Sequence, residues 1–314
     1  MMTQGNGSGQ IPRRTLGRTG VEVSILGLGG YHLGSAESED QAKRIVDEAI
    51  DGGVNFFDNA WEYHEGRSEE WMGSALAGRR GRVILMTKVC THGREKAVAM
   101  RMLEESLQRL RTDYLDIWQI HEVIYPNDPE LIFRPNGAAE ALVQAKKDGK
   151  VRFIGFTGHK DPAIHLKMLS YDFPFDTVQL PLNCLDATFR SFEQQVLPEL
   201  NRRGIAPLGM KSLGGSGEMV AHGAVRAADA LRYAMSLPVA VTISGIESLP
   251  VLRQNLAVAQ GFQPMTPEAM QRLRDQVRED AADGRYELFK TAMKYDGDVG
   301  REQHGFPAPA ELPL

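Results

Sequence analysis

Short apolar runs that end abruptly in polar residues alternate along this chain with longer stretches of helical periodicity. Asn55-Phe56-Phe57 breaks at Asp58, with Tyr63 five positions later. A strand-forming run cut off by a charge marks the C-terminal end of a buried parallel strand. The same form recurs at Ser24–Gly29, Val83–Lys88, Leu115–His121, Val151–Thr157, Thr177–Leu182, Ile205–Lys211 and Val239–Ile243. Between them the spacing predicts helices from the Ser38 cap to Asp51 and over Glu69–Ala77, Arg94–Arg111, Gly137–Lys147, Pro162–Leu169, Ser191–Arg203, Ala227–Met235 and Leu249–Ala259. Thr266 caps a last helix, Pro267–Ala282, with proline at its first position. Glu122 to Asn136 reads as a loop rich in Pro and Asn. Ahead of all these, Arg13–Leu16 and Val21–Val23 flank Gly17-Arg18-Thr19-Gly20, a small hairpin. After Gly284 the pattern fades, and Leu288 and Phe289 fit either a lid or helix-end packing.

Eight strand–helix units without a linker predict an α/β fold, a (β/α)8 TIM barrel with an N-terminal β-hairpin. One domain would span residues 13–314, C-terminal helix and tail included, with residues 1–12 a flexible tail, Gly/Ser/Gln-rich through Gln10. The rival is a doubly wound sheet. It wants G-x-G-x-x-G opening a helix, and Gly27-Leu28-Gly29-Gly30 does not meet that spacing.

Composition narrows the class. A net charge of −5 argues against nucleic-acid partners. Cys90 and Cys184 have no metal-ligand spacing and are too few for a disulfide framework, which fits a reducing cytoplasm and no metal. No apolar run approaches the ~18 residues of a membrane span, and no apolar leader stands at the start. Nothing in the sequence separates a monomer from a homo-oligomer.

Candidate chemistry gathers at the strand ends: Asp58 and Tyr63 after the second strand, Lys88 ending the third, His121 ending the fourth. A barrel brings those ends together on one face. Asp58 then compensates a buried Lys88. The ammonium beside Tyr63 is expected to lower the phenol from about 10, making a proton donor near neutral pH. The His121 imidazole suits orienting a carbonyl oxygen. Groups that move a proton on oxygen while carbon changes oxidation state are the complement of a nicotinamide. Singly, each residue also fits a structural role. Four on three successive strand ends make that much less economical.

These residues carry a resemblance. Gly53-Val54-Asn55-Phe56-Phe57-Asp58-Asn59-Ala60 with Tyr63, then Ser68-Glu69-Glu70-Trp71-Met72-Gly73, resembles the first signature of the aldo-keto reductases. Ser106-Leu107-Gln108-Arg109-Leu110-Arg111-Thr112-Asp113-Tyr114-Leu115-Asp116, running to His121, resembles the second. The resemblance extends from about Arg13 to Ala259. It implies a catalytic tetrad of Asp58, Tyr63, Lys88 and His121, with Tyr63 the general acid in reduction. It also implies a nicotinamide cofactor held without a Rossmann fold.

Cofactor contacts follow residue by residue from that resemblance. Gly30 and Tyr31 match the loop beside the nicotinamide ribose, where Asp58 also lies. Thr157 and Gln179 match the carboxamide partners. Gly158 stands where the family usually has asparagine, with His159 as its possible substitute. Met210 stands where many members stack an aromatic ring. Lys211, Ser212, Leu213 and Gly214 match the pyrophosphate loop, and Ser244, Gly245, Gln254 and Asn255 the adenosine end. The family's usual preference points to NADP(H). Gly245 and Val251 at positions where relatives carry cations, with Glu247 among them, keep NAD(H) open; Arg253 is the nearest candidate for a 2′-phosphate. The substrate pocket is expected to take Tyr31, Trp61, Tyr63, His121 and Tyr125, with Phe133 as a further candidate, and to suit a small carbonyl compound or sugar. A sugar or alcohol dehydrogenase uses the same tetrad in the other direction. A cofactor-sensing regulatory subunit is the reading from another class.

Overall fold

The alternation that buries one face of each strand also chooses what points into the barrel. In the computed structural model, which describes residues 9–89 and 94–297, the hairpin strands are β1 (Arg13–Thr15) and β2 (Glu22–Ser24). Eight parallel strands follow: β3 (Leu26–Gly29), β4 (Phe56–Asp58), β5 (Ile84–Val89), β6 (Leu115–Ile120), β7 (Val151–Thr157), β8 (Thr177–Pro181), β9 (Ala206–Met210) and β10 (Val241–Gly245). They close in sequence order, β10 pairing with β3. The predicted barrel and hairpin are both present.

Register fixes the layers. Gly27 pairs with Phe56, Phe56 with Ile84, Met86 with Ile117 and Leu208 with Val241, so these positions share the inner face. Phe56, Met86, Ile117, Leu208, Val241 and Ile243 fill the lower barrel, and Leu16 and Val23 of the hairpin close it from below. Two residues further along each strand the same face turns polar: Asp58 after Phe56, Lys88 after Met86, Gln119 after Ile117. The period of two thus puts the charged groups at the C-terminal mouth. Phe57, Leu85, Trp118 and Phe156 point outward and are fully buried under the helices.

Helix ends follow local chemistry. Ser38 accepts from the Gln41 amide to start Glu39–Asp51, and Thr266 does the same for Pro267–Gln276. Three expectations are corrected. The segment Ser191–Arg203 is two helices, Phe192–Gln195 and Leu197–Arg203, because Pro198 has no N–H to continue the first. The loop after β6 holds a helix, Asp128–Phe133, with Pro129 in its first turn. Ile11 is 5 % exposed in the core and the Pro12 carbonyl accepts from the Ile25 amide, so packing starts before Arg13. Residues 1–8 of the expected tail, and Cys90, lie outside the described residues. Cys184 is buried, and burial pushes its thiol up to about 12. Among the described residues no helix is long and apolar enough to cross a membrane.

Candidate active site

Lys88 is the centre of the mouth. Its side chain is 1 % exposed, and it pairs with the Asp58 carboxylate. Its ammonium also donates to the Asn59 carbonyl at 2.7 Å and to the Tyr63 hydroxyl at 3.3 Å. Gln179 supports Asp58 from the next layer, donating through Nε2 at 3.4 Å. A buried ammonium with three acceptors is a fully engaged cation rather than an isolated one. The backbone around it is tight. A side chain on Gly30 would meet the Asp58 carbonyl at 2.6 Å, and Ser68 ties the Gly30 carbonyl to the helix Arg67–Ala75.

Tyr63 sits half-buried on the turn after β4, held there by left-handed backbone at His64 and Glu65. Its ring meets Tyr31 edge-on at 5.4 Å and His121 edge-on at 5.6 Å. The expected depression of the phenol is not found. Burial of the hydroxyl, with Asp58, Glu62 and Glu122 adding to it, pushes Tyr63 well above its ordinary value. Lys88 donates to the hydroxyl while paired with Asp58, and it does not reverse that rise.

His121 follows β6, and its backbone is fastened by Arg94. That guanidinium, fully buried, donates to the His121 carbonyl at 2.9 Å and the Glu122 carbonyl at 2.7 Å, and pairs with Asp128 at 3.0 Å. Burial works against the Asp128 charge, but Arg94 and the amides of Ile124 and Tyr125 outweigh it and hold the carboxyl below its usual range. The imidazole Nδ1 pairs with the Glu62 carboxylate. This partner was missed from the sequence, although Glu62 stands directly before Tyr63.

Among the described residues, Thr157 Oγ1, Gln179 Oε1 and His159 Nε2, deeper in the mouth, are buried polar atoms with no hydrogen-bond partner, as is Gln119 Oε1 on the same inner face. Such atoms cost free energy unless a ligand or water satisfies them. Two oxygens and an imidazole nitrogen on adjacent strand ends suit an amide. Gly158 has no room for the asparagine of the family pattern, since a Cβ there would lie 2.2 Å from the Val123 carbonyl. His159 is pushed well below its ordinary value by burial and then by Lys211, so it is neutral.

The β9 loop supplies a cation. Lys211 adopts left-handed backbone, and burial, with Lys88 adding, lowers it to about 8 despite Glu122. Ser212 and Gly214 beside it are buried, with Met210 and Leu213 half-buried. At the β10 end, Asn255 donates to Ser244 at 3.0 Å, while Gln254 is exposed on the same helix, Leu249–Gln260. A side chain on Gly245 would strike the His32 ring at 2.2 Å. Arg253 is exposed and held by Glu48 through two hydrogen bonds of 2.6 and 3.0 Å.

Two expected pocket residues are drawn away. Trp61 donates its indole N–H to Glu105 at 2.7 Å, and Arg109 lies 5.2 Å over its ring, so it packs on the helix Lys96–Arg109. Phe133 stacks on Tyr171 at 4.1 Å within an outer aromatic cluster with Phe173 and Phe175. Tyr31 stays, 53 % exposed at the mouth. Tyr125 stays too, its hydroxyl 3.4 Å from Asp296.

Asp296 belongs to a C-terminal strap over the mouth. Lys290 is fully buried, donating at 2.6 Å to Asp186, 2.8 Å to Glu287 and 2.8 Å to the Phe189 carbonyl. Burial pushes both carboxyls upward, with Lys290 opposing it. Phe289 lies 5.1 Å from the Lys211 ammonium, and the Gly297 amide donates to Glu122 at 3.0 Å. The fading pattern after Gly284 therefore concealed both helix-end packing and a cover over the β9 loop.

Comparisons with known proteins bear on the family and the fold. Residues 25–218 match the model of the aldo/keto reductase family. This chain belongs to that family. Among curated relatives, the uncharacterized oxidoreductase YqkF of Bacillus subtilis is 36 % identical over 156 residues, 46 % of this chain and 48 % of the relative. L-galactose dehydrogenase of Arabidopsis thaliana is 37 % identical over 160 residues, 48 % and 49 % of the two chains. The matched part of the chain spans about half the length of these relatives. Among solved structures, the holo form of aldo-keto reductase AKR11C1 from Bacillus halodurans superposes with a TM-score of 0.71 at 24 % identity, covering 85 % of this chain and 96 % of its own. An aldo/keto reductase from Klebsiella pneumoniae, solved with NADP and acetate, gives 0.67 at 23 %, covering 86 % and 95 %. At that identity the likeness establishes the barrel fold.

Proposed function

We propose that this aldo/keto reductase is an NAD(P)H-dependent oxidoreductase that interconverts a small aldehyde, ketone or sugar carbonyl with its alcohol. The observation that carries the reading is Lys88, bound at once to Asp58 and to the Tyr63 hydroxyl. Tyr63 gives a proton to the substrate oxygen in reduction, and His121 orients that oxygen. Lys88 supports the phenolic oxygen as its proton leaves, and Asp58 holds Lys88 in place. Bound nicotinamide supplies the hydride chemistry. Thr157 and Gln179, with their unsatisfied oxygens, would hold its carboxamide. Gly30 and Tyr31 would flank the ribose and Met210 would pack on the ring. Lys211, Ser212, Leu213 and Gly214 would hold the pyrophosphate, and Ser244, Gly245, Gln254 and Asn255 the adenosine end. Tyr31 and Tyr125 line the substrate side.

NADP(H) is the family's usual cofactor. NAD(H) is favoured by three features: Arg253 is held by Glu48, His32 fills the space beside Gly245, and Glu247 adds negative charge where a 2′-phosphate would sit. Oxidation of a sugar or an alcohol is the reverse of the same chemistry and accords with the relative named L-galactose dehydrogenase. The test is Tyr63→Phe with carbonyl reduction and cofactor affinity measured in parallel. General acid catalysis is worth roughly 10²–10⁴-fold, so turnover should fall by at least ~10²-fold at unchanged affinity for NADPH and NADH. Near-wild-type turnover would exclude Tyr63 as the acid.

A further inference from the structure

We propose that Glu62 is a positioning residue for His121, taking Nδ1 so that a charged imidazole presents its Nε2–H to the substrate oxygen. The proposal rests on the functional reading above and adds a residue to it.

The two side chains reach each other from different strands. Glu62 sits on the turn after β4 and His121 at the end of β6, and the carboxylate meets Nδ1. Their side chains are 20 % and 11 % exposed, so water screens the contact little. Arg94 holds the His121 and Glu122 carbonyls, which fixes where the ring begins. Tyr63 meets the ring edge-on at 5.6 Å and limits its rotation.

The contact determines which nitrogen is available. An Nδ1–H committed to a carboxylate leaves Nε2 as the nitrogen for a substrate. In the neutral ring with that tautomer, Nε2 carries only a lone pair and cannot donate to a carbonyl. In the charged ring it carries a proton and can. A carboxylate in contact favours the charged ring. Burial raises the Tyr63 phenol at this site, and a charged imidazole on the same substrate oxygen would assist its proton transfer. A second positive group on the substrate oxygen offsets the negative charge that develops there. The other charged or titratable groups around the ring are Tyr63 on the same turn as Glu62, Glu122 beside it, and His159 from the end of β7.

The experiment compares wild type, Glu62→Gln and Glu62→Asp at saturating cofactor, in two readouts. In carbonyl reduction, Glu62→Gln should lower kcat by ~10-fold or more and move the high-pH limb of the rate profile to lower pH. Affinity for NADPH and NADH, read by fluorescence, should not change. In ¹⁵N spectra of labelled histidine near neutral pH, the His121 signal should change from the doubly protonated to the neutral form. Glu62→Asp, which keeps the charge, should restore the doubly protonated signal and part of kcat. A wild type that turns over, with a Glu62→Gln variant unchanged in pH limb and histidine signal, overturns this proposal alone. A wild type that binds neither nucleotide overturns the proposed function and this proposal with it.

Discussion

Lys290→Met is the most informative perturbation outside the candidate catalytic centre. It removes one ammonium and leaves Asp186 and Glu287, 0 % and 1 % exposed, without their cation. Breaking a buried ion pair by removing one partner costs about 3–5 kcal/mol. Asp186 retains the amides of Phe192 and Glu193, and Glu287 retains Asn183 at 2.8 Å. These bonds place the expected loss at the lower end, about 3 kcal/mol. For a chain this long the entropy of unfolding is about 0.7 kcal/mol per kelvin, so the melting temperature should drop by roughly 4–5 °C. The loss should also depend on pH. Burial already raises both carboxyls, so their protonated forms favour the fold. That contribution is present below the ordinary carboxylate range and is lost as pH rises through the folded values. Without Lys290 the effect should grow, so the variant should lie closer to wild type at about pH 5 than at about pH 8. Urea denaturation at the two pH values, with thermal melts, measures both quantities. A loss below about 1 kcal/mol, equal at both pH values, would refute the reasoning and mean that water reaches the cluster.

Burial lowers Lys211 to about 8, so nucleotide affinity should fall as pH rises through that value, and calorimetry in buffers of different ionisation enthalpy should register proton uptake on binding. Lys211→Ala should weaken NADPH and NADH alike and remove the uptake. Gly158→Asn should lower stability by about 1–3 kcal/mol without tightening nucleotide binding, because its Cβ collides with the Val123 carbonyl; a melting curve and a fluorescence titration check it. Arg253→Ala should leave the ratio of NADPH to NADH affinity unchanged, since the guanidinium is engaged by Glu48; a selective loss of NADPH would show that Arg253 releases Glu48 for a phosphate.

What the sequence disclosed was what period and local chemistry encode. β7 and the helix Pro162–Leu169 have the expected bounds because apolar runs and proline define both ends. The approach of Lys88 to Asp58 followed from two strands of equal phase reaching one face. The anchoring of Trp61 was not legible because its partner, Glu105, stands 44 positions away on a helix whose facing sequence does not state. The shift of Tyr63 was misjudged in sign because enclosure of the hydroxyl and the nearby carboxylates of Asp58, Glu62 and Glu122 depend on the closed barrel. Lys290 gave no signal at all: a single lysine in an unpatterned tail looks like solvent until Asp186 and Glu287 are seen around it.

Pairing of β10 with β3 has a consequence for the order in which the molecule can be made. The first barrel strand waits for the last, because Gly29 pairs with Gly245. At ribosomal rates of about 5–20 residues per second, the intervening chain takes roughly 10–45 s to synthesise. Throughout that interval one edge of β3 has no partner, and it is a template for any other extended chain nearby. The strap that carries Lys290 emerges later still. A nascent chain stalled before Val241 would therefore have seven of its eight barrel strands and an open seam, the form most exposed to aggregation and most dependent on chaperones.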